Sequence, residues 1–174
     1  IIECPRDAMQ SIKTFIPTEI KLNYLQKLVT VGFDVIDIGS FVSNKAIPQL
    51  ADTPKIIESI DLSNSNSKLL VIVANKKGAI NASKYDKISF IGYPFSISEN
   101  FQIRNTNKSI KDSEKELEEI IKIAKQANKK VVVYLSMCFG NPYGDPWNIE
   151  IVNEWISRLV DMNVKIISLS DTIG

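Results

Sequence analysis

Arg6 and Asp7 stand side by side where the first apolar run of the sequence gives out. A carboxylate there can ligate a hard divalent cation, and a guanidinium can hold an oxyanion as it forms. The same two residues could equally form a surface ion pair at the start of a loop. Asp37 is embedded among Val35, Ile36 and Ile38. A carboxylate in such a run is costly to bury without a partner, so it is expected to face a polar site. Asp171 closes the last apolar run, where Asp-Thr could instead cap a following helix.

The other reactive side chains narrow the chemistry. The 174 residues contain no histidine, so the commonest general base and metal ligand is missing from them. Cys4 and Cys138 sit in apolar runs, read as small core residues, and cannot build a disulfide framework. Lysine and arginine total 21 against 20 aspartates and glutamates, a net charge of +1 that gives no basic excess for nucleic acid. No apolar run is long enough to span a bilayer and no signal peptide is seen, so neither nucleic acid nor membrane is expected as a partner. A reducing, cytoplasmic setting is the expectation. The sequence opens on Ile1-Ile2, already strand-like, and stops at Gly174 without a polar tail; both ends read as cuts.

These residues have to be placed by the elements around them. Short β-branched runs at Ile1–Cys4, Val35–Ile38, Leu69–Val73, Lys87–Ile91, Val131–Ser136 and Lys165–Leu169 predict strands. They are mostly continuous rather than alternating, as in parallel strands covered on both faces. Helices are expected between them: one capped by Thr18 and stopped by Gly32, and one opened by Thr53-Pro54. A third follows the capping pair Ser109 and Asp112, a fourth is opened by Asp145-Pro146, and a weaker one covers Lys76–Ser83. The alternation predicts a parallel α/β architecture, and periodicity alone fits an open flavodoxin-like sheet or an incomplete barrel equally well. In a barrel, the polar residues gathered at the strand ends would lie on one side.

Several segments resemble a known family. Pro5-Arg6-Asp7-Ala8-Met9-Gln10 is similar to the PRDGLQ opening of 3-hydroxy-3-methylglutaryl-CoA lyases, members of the DRE-TIM metallolyase superfamily. Ser40-Phe41-Val42-Ser43-Asn44-Lys45 with Pro48-Gln49-Leu50-Ala51-Asp52 resembles its SFVSPK…PQMAD segment. Ser98-Glu99 with Phe101, Asn105, Asn107 and Ser109 resembles a family loop, Tyr134-Leu135-Ser136 with Gly140 and Pro142-Tyr143 follows its fifth strand, and Ser168–Gly174 is close to SLGDTIG. The matches run in order along nearly the whole chain.

The resemblance implies an α/β fold, a TIM (β/α)8 barrel with about six of its eight βα units in residues 1–174, as a single partial domain cut at both ends. It implies a retro-aldol cleavage of 3-hydroxy-3-methylglutaryl-CoA to acetyl-CoA and acetoacetate, with a divalent cation (Mg2+ or Mn2+), an acyl-CoA substrate and a homo-oligomeric full-length form. Asp7 would ligate the metal and Arg6 would stabilise the enolate oxygen. Asp37, standing where the family has a glutamate, joins Arg6 and Asp171 in the catalytic set, Asp171 in deprotonating the hydroxyl. Gln10, Lys13, Ser40, Asn75, Ser136 and Thr172 would contact substrate. The chain departs from the pattern at Asp37, at Ala8 in place of glycine, and at Met137 and Asn141 in place of cysteines. The family's paired metal-binding histidines and its catalytic cysteine belong to later elements, so residues 1–174 alone are expected to be inactive. The alternatives are another carbon–carbon lyase or acyl-CoA synthase of the superfamily, and a catalytically idle acyl-CoA-binding homologue.

Overall fold

A computed structural model describes all of residues 1–174. The elements in order are β1 (Ile2–Glu3), α1 (Pro5–Gln10), α2 (Thr18–Leu28), β2 (Val35–Ser40), a 3-10 turn (Pro48–Leu50), α3 (Thr53–Ser59), β3 (Lys68–Ile72), α4 (Lys76–Ser83), β4 (Ile88–Ser96), α5 (Glu99–Thr106), α6 (Ile110–Gln126), β5 (Lys130–Ser136), α7 (Ile149–Asp161) and β6 (Ile166–Leu169). All six strands are parallel, and they neighbour one another in chain order, β1 through β6. An open doubly wound sheet reverses strand order at a switch point and carries helices on both faces. Neither feature is present, and the barrel alternative is the one realised.

The two faces of the sheet carry separate apolar clusters. The larger joins 28 buried residues, including Ile36, Leu69, Val71, Ile91, Tyr93 and Val133 of the strands with Leu25, Ile57, Leu117, Ile120 and Leu159 of the helices. The smaller consists of strand residues alone: Leu70, Ile72 and Val132, with Val35, Phe90, Tyr134 and Ile166 against them. Helices therefore cover one face, and the other lines the inside of a half-barrel. This two-sided burial is why the strands lack polar alternation.

Most elements follow the local signals. Ser109 Oγ accepts from the Asp112 amide at 3.0 Å and caps α6, as its spacing predicts. The weakest of the expected helices, Lys76–Ser83, is α4. Other boundaries move. Thr18 is the first residue of α2, behind Pro17, and α2 ends at Leu28, ahead of Gly32. Thr53 lies inside α3, behind Asp52, and its buried hydroxyl accepts from the Ser40 amide and donates to the Leu50 carbonyl. Asp145-Pro146 does not open α7; Asn148 caps it, its side chain accepting from the Ile151 amide at 2.7 Å. Asp145 instead accepts from the Ser98 hydroxyl and from the Asn100 amide and side chain, which ties the loop after β5 to the start of α5. A tertiary partner out-competed the local cap.

The strand β4 runs five residues past its expected end at Ile91, through Gly92 and Pro94, which locally signal a turn. Gly92 sits on the inner face, in register with Ile72 and Val132. A methyl group there would come within 2.6 Å of Ile72 Cδ1, 3.0 Å of Tyr134 Cε2 and 3.2 Å of Leu70 Cδ2. Space for the Ile72 side chain and the Tyr134 ring, rather than a turn, explains this glycine. Gly92→Ala is accordingly expected to destabilise by about 1–3 kcal/mol through overpacking, read as a lowered urea midpoint in equilibrium unfolding.

Candidate active site

The first functional residues reach their positions through a helix. Pro5 supplies a fixed φ directly after β1, and α1 starts there, anchored by buried Pro5 and Met9. Arg6 and Asp7 thus occupy the first turn of α1 rather than a strand end or the start of a loop, which corrects the expectation drawn from the apolar run. A carboxylate in a first turn also meets the positive end of the helix dipole. Gln10 lies one turn on, on the same face as Arg6.

From this turn Arg6 reaches across to β2. Its Nε and Nη2 donate to Asp37 Oδ2 at 3.0 and 2.7 Å, and its Nη1 donates to Asp7 Oδ1 and Gln10 Oε1, both at 2.9 Å. Gln10 Nε2 donates to Asp7 Oδ1 at 2.9 Å, closing the ring. The guanidinium has five N–H groups. These bonds use four, so a single N–H on Nη2 is left for another oxygen. The side chains grade from outside to inside: Asp7 is 62% exposed, Arg6 12% and Asp37 0%.

Alternation from Val35 turns Asp37 inward, and a bulge after it brings Ser40 to the same face. Asp37 pairs with Leu70, but Gly39 pairs with Val71 and Ser40 with Ile72, so the register slips by one between Asp37 and Gly39. Asp37 and Ser40 therefore share the inner face with Leu70 and Ile72, despite their odd spacing. Burial pushes the Asp37 carboxyl up from 3.8 to about 6 against the opposing pull of Arg6. Burial lowers the Arg6 pKa, but the carboxylates of Asp37 and Asp7 outweigh it and hold the guanidinium above its ordinary value. Asp37 Oδ1 is buried and bonds to nothing.

Tyr134 of β5 faces this group from across the half-barrel. Its hydroxyl is buried without a hydrogen-bond partner, and its pKa is raised by burial and then by Asp37, with smaller effects of Cys4, Arg6 and Asp7. Sequence reasoning noticed Tyr134 only as part of a motif. Its alternation with the outward Val131, Val133 and Leu135 was the signal that could have placed it on the inner face.

The remaining candidates are dispersed. Lys13 is exposed and lines a cleft of about 310 Å3 with Gln10, Ile12, Phe15 and Gln49. Asn75 caps α4, its side-chain oxygen accepting from the Gly78 amide at 2.9 Å. Ser40 Oγ is buried and unpartnered. Ser136 pairs in register with Ser96 on the inner face of β4 and β5. Thr172 Oγ1 accepts from the Met137 amide at 2.8 Å, joining the turn after β6 to the end of β5. Asp171 is exposed and accepts from the Gly174 amide at 3.2 Å. Arg6, Asp7, Gln10 and Asp37 thus form one bonded cluster, and none of the other six bonds to it.

No group of three or more His, Cys, Asp or Glu side chains converges on a point where a metal ion could sit. Asp7 fits the part of one ligand, since Oδ1 takes both of its hydrogen bonds and Oδ2 makes none. Hard cations are commonly held by one or two carboxylates together with water and substrate oxygens.

Comparison with known proteins follows the same outline. The HMGL-like family model matches residues 3–174. The human protein named 3-hydroxy-3-methylglutaryl-CoA lyase, cytoplasmic, is 34% identical over 172 residues, 98% of this chain and 45% of its own length. The Arabidopsis thaliana protein named hydroxymethylglutaryl-CoA lyase, mitochondrial, is 34% identical over 173 residues, 98% of this chain and 36% of its own. Among solved structures, the HMG-CoA lyase of Bacillus subtilis superposes with a TM-score of 0.92 at 34% identity, covering 99% of this chain and 58% of that one. An HMG-CoA lyase from Acinetobacter baumannii, in complex with coenzyme A and 3-methylmalate, gives 0.91 at 27%, covering 99% and 56%. The chain spans about half the length of these relatives. No helix is long and apolar enough to cross a membrane.

The buried carboxylate makes stability depend on pH. A carboxyl whose folded pKa lies above its unfolded one takes up a proton on folding, so its burial costs least at low pH. With Asp37 moving from 3.8 to about 6, that cost grows as pH rises through this window and levels off above it. Asp37→Asn should remove this contribution to the slope of unfolding free energy between about pH 4 and 6, while lowering stability overall because Arg6 loses its partner. Denaturant titrations at several pH values measure both.

Proposed function

Because the chain belongs to the HMGL-like family, we propose that it carries part of the active site of a lyase that cleaves 3-hydroxy-3-methylglutaryl-CoA to acetyl-CoA and acetoacetate. The observation that carries this reading is Arg6, locked by Asp37 beside Asp7 where β1 gives way to α1. In a retro-aldol step the tertiary hydroxyl loses its proton and the bond between C2 and C3 breaks. The electron pair moves through C2 onto the thioester carbonyl, giving an enolate, and protonation at C2 completes acetyl-CoA. Negative charge therefore grows on one oxygen during the step. A guanidinium already held in place stabilises that oxygen without reorganising at the moment of reaction.

Each neighbour has a part in holding it. Asp37 fixes the plane of the guanidinium through Nε and Nη2. Asp7 would supply one ligand to a divalent cation, Mg2+ or Mn2+, which when bound would chelate the substrate and lower the pKa of its hydroxyl. An Asp7 drawn toward a cation would also release the Nη1 N–H it now holds. That N–H would then be the donor Arg6 turns to the enolate oxygen. Asp171 would receive the hydroxyl proton, Gln10 and Lys13 would meet the acyl-CoA at the cleft they line, and Ser40, Asn75, Ser136 and Thr172 complete the proposed substrate contacts. The active unit is a homo-oligomer of full-length barrels, in which residues 1–174 form one partial domain.

The test is a lyase assay on the intact protein with and without added Mg2+ or Mn2+. Cleavage that needs the cation is expected, and no cleavage under either condition would overturn the reading. Arg6→Met should lower kcat by about a hundredfold or more with little change in KM, the scale of losing one oxyanion donor. Arg6→Lys should rescue this only in part, since an ammonium does not reproduce the guanidinium fork. Asp7→Ala should weaken cation binding, so that activity partly returns at high cation concentration. A raised KM with kcat spared in Arg6→Met would reduce Arg6 to an anchor for substrate.

A further inference from the structure

The inner face of the half-barrel buries polar atoms that the bonded cluster does not use. Asp37 Oδ1 and the Tyr134 hydroxyl are both fully buried and both without a hydrogen-bond partner. They do not bond each other, although the Asp37 charge is the strongest charge acting on the Tyr134 phenol. An orphaned buried carboxylate oxygen and an orphaned buried hydroxyl each carry an uncompensated desolvation cost. Such groups in folded proteins are almost always satisfied by protein or by ordered water. The third group is the spare Nη2 N–H of Arg6, whose other hydrogen is bound by Asp37 Oδ2.

The position of the ring is built rather than incidental. Gly92 on the neighbouring strand leaves the space over which Tyr134 lies, its Cε2 only 3.0 Å from where a Cβ would stand. Pro94, in register with Tyr134, is the strand neighbour on that side. The ring itself packs in an apolar cluster of Leu70, Ile72 and Val132 with Val35, Phe90 and Ile166. A phenylalanine would satisfy that packing. The hydroxyl is the part that packing leaves unexplained.

We propose that Tyr134 is a positioning residue of this site: its hydroxyl donates to one buried water, which in turn donates to Asp37 Oδ1. The same water accepts the spare Arg6 N–H, giving it three partners, the usual number for a buried water. Asp37 is thereby held from both sides, by Arg6 on Oδ2 and by the water on Oδ1. The orientation of Arg6 then depends on a residue in β5 that Arg6 does not touch. The kinetic half of this inference rests on the proposed lyase reading; the hydrogen-bonded water does not.

Crystal structures of the intact protein and of Tyr134→Phe, together with their kinetics and melting temperatures, test both halves. The expected result is density for a water between Tyr134 and Asp37 that vanishes in Tyr134→Phe. With it, kcat should fall roughly tenfold or more, the scale seen when the partner of an active-site ligand is removed, with KM and melting temperature little changed. Tyr134→Phe should also be non-additive with Asp37→Asn in kcat, because both act through one network. A purely structural tyrosine predicts the reverse: unchanged kcat and a lowered melting temperature. A dry gap in the parent structure, or unchanged kcat in Tyr134→Phe of an active enzyme, overturns the proposal. If the parent protein shows no lyase activity, the lyase reading fails while the density still decides the water.

Discussion

The buried ion pair between Arg6 and Asp37 is the constraint around which the candidate site is arranged. Desolvating two charges costs several kcal/mol each, and only close, multiple hydrogen bonds repay it. Asp37 has no exposure and receives two N–H groups on one oxygen. Removing either partner would strand the other, so α1 is pinned to β2 at a fixed distance. With α1 pinned, Asp7 is carried to the open edge and Gln10 is turned back onto Arg6. A lone hydrophobic contact could have docked this short helix, but it would not have fixed the plane of the guanidinium.

The loops on the same side are held by a second layer of buried polar groups, and it accounts for much of the motif content. Gln49 accepts from the Ile16 amide and donates to the carbonyls of Ile12 and Thr14, holding the stretch between α1 and α2. Lys21 is fully buried, bonded to the Gln49 carbonyl and to both oxygens of Asp52. Ser98 caps α5, Glu99 accepts from the Ile110 amide at the start of α6, and Asn107 ends α5 in the left-handed conformation at φ 57°. Family-like residues such as these do structural work, closing helix ends and loop backbones that would otherwise leave unpaired groups near the site.

The sheet imposes its own limit. Because the inner layer is shared between neighbouring strands, a large side chain on one demands a small one on the next, as Tyr134 does of Gly92. Interior positions are therefore coupled across the half-barrel. The chemistry of β2 cannot be altered independently of β4 and β5.

Much of this was legible in the residues themselves. Continuous β-branched runs gave six parallel strands, the Ser109 and Asp112 spacing gave a capped helix, and the presence of Asp37 in an apolar run pointed to a polar partner. The motif order gave the barrel over the open sheet. What tertiary structure decided were features set by contacts distant in sequence. Arg6 and Asp7 were adjacent in any reading, but only the docking of α1 on β2 made Arg6 the partner of Asp37, 31 residues away. Asp145 looked like a helix cap until Ser98 and Asn100 claimed it. The fourth strand was expected to end at Ile91, yet it runs on through Gly92 and Pro94, where Ile72 and Tyr134 fill the space a side chain would take. Local propensity reads what a residue prefers alone, and burial next to a distant neighbour is what overrode it at each of these positions.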